Sequence, residues 1–147
     1  MEFLEIHYAD DDSDDVDFFM EAIKSVEKKS RIPIKCTIHN GGENVIHDMK
    51  ENAGPHSILF LDINMPGKDG FQILELLRKD ELYSDLFIVM LSTSSESNAI
   101  KKCKDLGANF YAIKPTTIKT LERIIEKVVT LNSGEYRKIF TPFVIED

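Results

Sequence analysis

Basic patches are scarce in this sequence. Of 147 residues, 18 are lysine or arginine and 26 are aspartate or glutamate, giving a formal charge of −8. The two candidate basic groups are Lys28, Lys29 and Arg31, and Lys101, Lys102 and Lys104. Both are short and have acidic neighbours. Phosphate backbones need a basic patch or stripe, so nucleic acid is not expected as a direct partner. Long apolar runs are missing too, and the opening "MEFLEI" lacks the basic-then-apolar order of a signal peptide. A cytoplasmic protein with no membrane partner is therefore expected. Cysteine is limited to Cys36 and Cys103, without CxxC spacing, which predicts reduced structural thiols rather than a metal or redox pair. His7, His39, His47 and His56 show no ligand spacing and read as structural or exposed. There is no internal repeat and no low-complexity segment. The length leaves no room for a second domain, and 42% apolar residues suffice for a real core.

What is abundant is acid in one place. The segment "YADDDSDDVDFFME" puts Asp10, Asp11, Asp12, Asp14, Asp15 and Asp17 just after the first apolar run. Like charges this close raise one another's pKa unless solvent or a cation intervenes. Taken alone, the run is a wet loop and helix start. With suitable partners it is a cation site.

Periodicity supplies those partners. Strands are predicted at Phe3 to Ala9, "PIKCTIH", "SILFLD", "LFIVMLS" and "NFYAIK". Helical spacing follows each one: Val16, Phe19, Met20, Ile23 and Val26; then Val45, Ile46 and Met49; then Ile73, Leu74, Leu76 and Leu77; then Ile100, Cys103 and Leu106; and finally Leu121, Ile124, Ile125 and Val128. Five such units predict an α/β fold, a five-stranded parallel sheet with helices on both faces. Function in such sheets gathers at the carboxyl ends of the strands. The polar residues ending the apolar runs are Asp10 and Asp11, Asp62, Ser92 and Lys114.

Three carboxylates at one edge call for a hard divalent cation, Mg²⁺ foremost with Mn²⁺ as an alternative. Such an ion usually keeps waters and a substrate phosphate. Lys114 and Ser92 offer a positive charge and a hydroxyl to phosphoryl oxygens, and Asp62 can serve as a carboxylate nucleophile. Phosphoryl transfer asks mainly for positioning and charge neutralisation, so this parts list is chemically sufficient.

These residues resemble a known family. "ADDDS", "LDINMPGKDG", "LSTS" and "YAIKP", in this order and spacing, are similar to the receiver domain of two-component response regulators, over roughly residues 3 to 130. The resemblance implies a flavodoxin-like fold with strand order 2-1-3-4-5. It implies that Asp62 accepts a phosphoryl group from a histidine kinase or histidine phosphotransfer protein, and that Asp11 and Asp62 bind the metal directly. Asp10 would act through a metal-bound water and Asn64 through its backbone carbonyl. Lys114 and Ser92 would hold phosphoryl oxygens, Pro115 would follow the lysine in a cis linkage, and Ser92 with Tyr111 would form the switch, Tyr111 turning inward once Ser92 is drawn to the phosphate.

The expected activity is that of a phosphoacceptor signalling domain, not an enzyme, which assists its own phosphorylation and dephosphorylation. Short members of the family without an output domain act by docking to a downstream protein. Ser92 stands where threonine is frequent and keeps the hydroxyl, and Ser13 stands where many members have proline. Glu5 and His7 lie in a strand that is usually more apolar. The stretch Glu27 to Arg31 and the loop "KENAGPHS" look extended, as in single-domain receivers that partner phytochrome-like kinases.

Two other chemistries fit parts of the pattern. Asp10, Asp12, Asp14 and Glu21 match positions one, three, five and twelve of an EF-hand calcium loop, but Asp15 replaces its glycine, Asp17 takes an apolar position, and a strand precedes the loop. A haloacid-dehalogenase-like phosphatase also uses an aspartyl nucleophile, yet it needs an acid where Asn64 stands. Within the acidic run, Asp10 and Asp11 are assigned to the site, and Asp12, Asp14, Asp15 and Asp17 to loop, cap and solvated helix face.

The chain divides into a receiver at 1–130 and an extension at 131–147. In the extension, "KIFTPFVIED" carries Ile139, Phe140, Phe143, Val144 and Ile145. Large apolar side chains are costly in water, so the tail must pack on its own domain or across a homodimer interface beside the last helix. The dimer is the preferred of the two, because five units already cover the sheet. Pro142 would confine any strand here to an edge.

Overall fold

A computed structural model describes residues 3–52, 54, 56–134 and 141–146. Strands β1 (Leu4–Ala9), β2 (Ile34–His39), β3 (Ile58–Leu61), β4 (Phe87–Ser92) and β5 (Phe110–Ile113) alternate with helices α1 (Ser13–Ser30), α2 (Val45–Asn52), α3 (Gly70–Lys79), α4 (Ser97–Leu106) and α5 (Ile118–Ser133). The strands pair in parallel in the order β2-β1-β3-β4-β5, as predicted. A 3-10 turn at Glu81–Tyr83, unforeseen, precedes β4. None of the described helices is long and apolar enough to cross a membrane.

Side chains alternate across the sheet. Ile6, Tyr8, Ile58, Phe60, Val89 and Leu91 meet α1 and α5 on one face. Leu59, Leu61, Ile88 and Met90 meet α2, α3 and α4 on the other. Burial on both faces explains why the central strands read as continuous apolar runs. Cys36 and Cys103 are free thiols, and burial pushes both up to about 12.

The ladder continues past the strand ends at the residues that matter. Asp10 N donates to His39 O (3.1 Å), Asp62 N to Ala9 O (3.0 Å) and Lys114 N to Ser92 O (2.7 Å). These bonds pin three of the predicted site residues to one edge of the sheet. The β1 departures also find a reason. Glu5, His7, His39 and Asp48 form a polar chain on the β1–β2 side, so Glu5 and His7 are satisfied inside the fold.

The structure agrees with setting the calcium reading aside. The calcium loop does not form: α1 begins at Ser13, and Asp12 is its N-cap, accepting from Asp14 N (2.9 Å) and Asp15 N (3.1 Å). Residues needed as an open loop are helical, because the apolar spacing from Val16 onward buries Phe19, Ala22, Ile23 and Val26.

Of the two packings expected for the tail, the part described takes the one on its own domain. Val144 bridges Tyr111 on the free side of β5, with Tyr111 N donating to Phe143 O (2.9 Å) and Ile145 N to Tyr111 O (2.8 Å). Ile145 enters the core, Phe143 and Val144 pack beside it, and Lys127 Nζ bonds Glu146 O (3.0 Å). The physical reason is the unpaired edge of β5, which five units leave open and an extended segment can satisfy. Pro142 precedes this edge bridge, where proline is tolerated. Ile139 and Phe140 lie outside the described residues.

Candidate functional site

The carboxyl edge opens into a cleft of about 570 Å³ lined by Asp10, Asp11, Asp62, Asn64, Thr93 and Lys114, with the acidic start of α1 at its rim. Ligand oxygens of Asp10, Asp11 and Asp62 lie within 4.8 Å of one another. This all-oxygen donor set suits a hard divalent cation. Asp10 is fully buried, Asp62 is 5% exposed, and Asp11 faces solvent. Asp10 is already engaged on both oxygens: Oδ1 accepts from Asp12 N (3.0 Å), and Oδ2 accepts from the Tyr8 hydroxyl and from Lys114 Nζ (2.9 Å).

Lys114 is the counter-charge. Its Nζ lies 2.9 Å from Asp10, 2.8 Å from Asp15 and 3.3 Å from Asp62 Oδ1, and its side chain is only 12% exposed. Burial alone would lower its pKa, but the carboxylates of Asp15, Asp10 and Asp62 outweigh burial and hold it well above the usual lysine value. Asp62 shows the opposite contest. Burial pushes its carboxyl up to about 6, with Lys114 pulling down and Asp10 pushing further up. Tyr8 stays a phenol because burial, and then the acceptor Asp10, raise it far above its ordinary value.

Gly70 holds the loop after β3 in place. Its amide donates to Ile63 O (2.8 Å), and a Cβ there would lie 2.3 Å from the Asp62 carbonyl. The helix start therefore approaches the acidic residue as only glycine allows. Asp69 and Gln72 form a capping box at the same point. Asn64 is exposed on this loop, facing the cleft.

Ser92 ends β4 fully buried, and its Oγ accepts from Ser94 N (3.2 Å). Tyr111, three residues before Lys114, is also fully buried, and its hydroxyl donates to Ser94 O (2.7 Å). The two predicted switch residues thus share one loop. The cis linkage expected before Pro115 is absent, since the described residues contain no cis peptide. Trans is the lower-energy isomer, and from it the Lys114 amide and ammonium already reach Ser92 and the carboxylates.

Three participants were missed. Asp15 was assigned to a solvated helix face but bonds Lys114 across 99 positions. Tyr8 falls within the predicted first strand with no role of its own, yet it donates to Asp10. Thr93 reaches the cleft beside the predicted Ser92. Sequence spacing carries no signal for the first two, since both contacts depend on how α1 lies over the end of β1. Tyr8 and Phe19 stack there with ring centroids 4.2 Å apart.

Known proteins share this family and this fold. The family model of the response regulator receiver domain matches residues 9–126. The two-component response regulator ARR18 of Arabidopsis thaliana is 29% identical over 121 residues, 80% of this chain but 18% of ARR18. The chain thus spans a small fraction of this relative's length. The phosphorylated cyanobacterial phytochrome response regulator RcpA superposes with TM-score 0.79 at 23% identity, covering 92% of this chain and 98% of RcpA. The Mn²⁺-bound response regulator Rcp1 gives TM-score 0.73 at 21% identity, covering 86% and 92%. At such identities the two structures speak for the fold, while the family match reaches across the whole acidic edge from β1 to α5: the chain belongs to the response regulator receiver domain family.

Proposed function

We propose that Asp62 is the phosphoacceptor of this receiver and takes a phosphoryl group from the phosphohistidine of a histidine kinase or histidine phosphotransfer protein. A carboxylate oxygen of Asp62 attacks phosphorus. The phosphorus–nitrogen bond breaks, and its electron pair leaves with the imidazole. The observation that carries this reading is one convergence: Asp62, 5% exposed, has Lys114 Nζ at 3.3 Å and the acids Asp10 and Asp11 beside it.

A divalent cation, Mg²⁺ or Mn²⁺, would be held by Asp11, Asp62 and the Asn64 carbonyl, and would offset charge that otherwise repels an anionic donor. Asp10 acts through water, a role supported by the full engagement of both its oxygens. The Mn²⁺-bound relative Rcp1 supports the choice of ion class. Lys114 and Ser92 hold phosphoryl oxygens. Tyr111 and Ser92 form the switch that carries the state of Asp62 to a docking surface on α4, β5 and α5, and the downstream partner is another protein in the cytoplasm. A phosphatase of the haloacid-dehalogenase type is not favoured, since Asn64 offers no general acid.

Incubation with acetyl phosphate and Mg²⁺, followed by intact mass and site mapping, tests this. One phosphate on Asp62, labile to base and hydroxylamine, is expected. Many turnovers of a generic phosphomonoester would favour the phosphatase instead.

A further inference from the structure

Asp15 lies outside the predicted site residues, yet it makes the shortest contact to Lys114 Nζ, 2.8 Å against 2.9 Å for Asp10 and 3.3 Å for Asp62. An ammonium has three N–H donors. Two are taken by Asp15 Oδ2 and Asp10 Oδ2, and the third faces Asp62 Oδ1. Asp10 alone is a poor guide for direction, because its Oδ2 also receives the Tyr8 hydroxyl and a lysine held at one point can pivot. The second anchor removes that freedom.

Asp15 is itself well held. Its amide is capped by Asp12, and α1 is fastened to β1 through Phe19 stacked on Tyr8. We propose that Asp15 is a positioning residue: together with Asp10 it orients Lys114 so that the remaining N–H points at the oxygens of the phosphoryl group on Asp62. This rests on the phosphoacceptor reading and adds a residue to it. The plain alternative is that Asp15 serves only the dipole of α1, as any acid in a first turn does. Asp14 separates the two readings, because it occupies the same turn, is exposed, and does not pair with Lys114.

Labelling of Asp62 by acetyl phosphate at saturating Mg²⁺ is followed over a range of donor concentration for the wild type, Asp14→Ala, Asp15→Ala, Asp15→Asn and Asp15→Glu. Attack by the Asp62 oxygen releases acetate with the electron pair of the broken phosphorus–oxygen bond. Asp14→Ala measures what losing one negative charge near the cleft does to donor approach. Relative to it, Asp15→Ala is expected to lower the maximal rate on the order of tenfold, with the half-saturating donor concentration little changed. Asp15→Glu should recover most of the loss. Thermal melting checks each fold, and if Asp15→Ala does not fold, Asp15→Asn must show the drop in maximal rate. Equal rates for the Asp14 and Asp15 variants, or faster labelling of the latter, would overturn the inference while a labelled wild type leaves the acceptor reading standing. A wild type that takes no phosphate on Asp62 overturns both.

Discussion

Strand β1 carries two buried polar clusters that differ in one respect. Near its middle, His7 lies 2.9 Å from Glu5 and 2.9 Å from His39, which in turn reaches Asp48 at 3.3 Å. At its end, Lys114 pairs with Asp10, Asp15 and Asp62, and Asp11 lies beside Asp10 and Asp62. Hydrogen bonding does not distinguish them, since no buried side-chain polar atom among the described residues lacks a partner. Charge does. In the histidine cluster burial lowers the His39 pKa, so its imidazole is a neutral hydrogen-bonding partner, and the carboxylate of Asp48, 38% exposed, keeps its charge in contact with water. The aspartate cluster has four carboxylates to one ammonium, an excess that an external cation can neutralise and a phosphoryl donor can exploit. Unbalanced buried charge, rather than polarity, is what marks the functional end of this strand.

The sharpest way to break that comparison is to remove the proposed acceptor. Asp62→Asn keeps the side-chain shape and should abolish labelling by acetyl phosphate, as should chelation of divalent ions; intact mass reads both. Robust labelling of the variant at another residue would sink the assignment.

Next in size is the counter-charge. Lys114→Met leaves buried Asp10 and Asp62 without their cation, a loss expected to cost about 3–5 kcal/mol in metal-free buffer. Saturating Mg²⁺ should return much of it, because a bound cation supplies the missing charge. Urea unfolding with EDTA and with Mg²⁺ measures the two values. A variant as stable as the wild type in EDTA would mean that the acid cluster is not electrostatically strained.

The comparison also explains which parts were legible in the sequence. The fold and the strand-end residues were, because a strand buried on both faces reads as an unbroken apolar run and the first polar residue after it marks the sheet edge. Asp62, Ser92 and Lys114 stand at such ends. Contacts between a helix and a distant loop leave no such mark. Asp15 sits where any helix welcomes an acid, and only the placement of α1 against β1 brings it to Lys114. His7 and His39 lack ligand spacing because their partnership crosses two strands, with His39 paired in register to Ala9 rather than His7. The place of the tail was hidden for a similar reason: the open edge of β5 is visible only once strand order is known, and Tyr111 then offers Phe143 and Ile145 a backbone partner.

A third test uses pH. In the fold Asp62 titrates at about 6 against an ordinary 3.8, so the folded state binds the proton more tightly between these values. Stability from this group is fully present below the unfolded value and is lost as pH rises through the folded one. In EDTA, Asp62→Asn should therefore exceed the wild type by about 2–3 kcal/mol above pH 6. The gap should close as pH falls toward 4. Urea unfolding across this range decides it, and a gap constant with pH would place the burial cost elsewhere.

The smallest effect should come from the histidine cluster, and it is the control for the whole comparison. His39→Phe keeps an aromatic ring beside His7, whose stacking centroid distance is now 5.1 Å, but deletes the bonds to His7 and Asp48. Asp48 is 38% exposed and can turn to water, whereas His7 is fully buried and keeps an unpaired ring nitrogen. Net loss of a buried hydrogen bond predicts about 1–2 kcal/mol of stability. The backbone carbonyl of His39 still receives Asp10 N, so the edge that positions the acids is preserved. Labelling of Asp62 should then proceed within about twofold of the wild-type rate, since no group that touches the phosphoryl oxygens has changed. A large fall in rate with intact stability would show that the two clusters are coupled through β1, and the division between structural and functional polarity drawn above would fail.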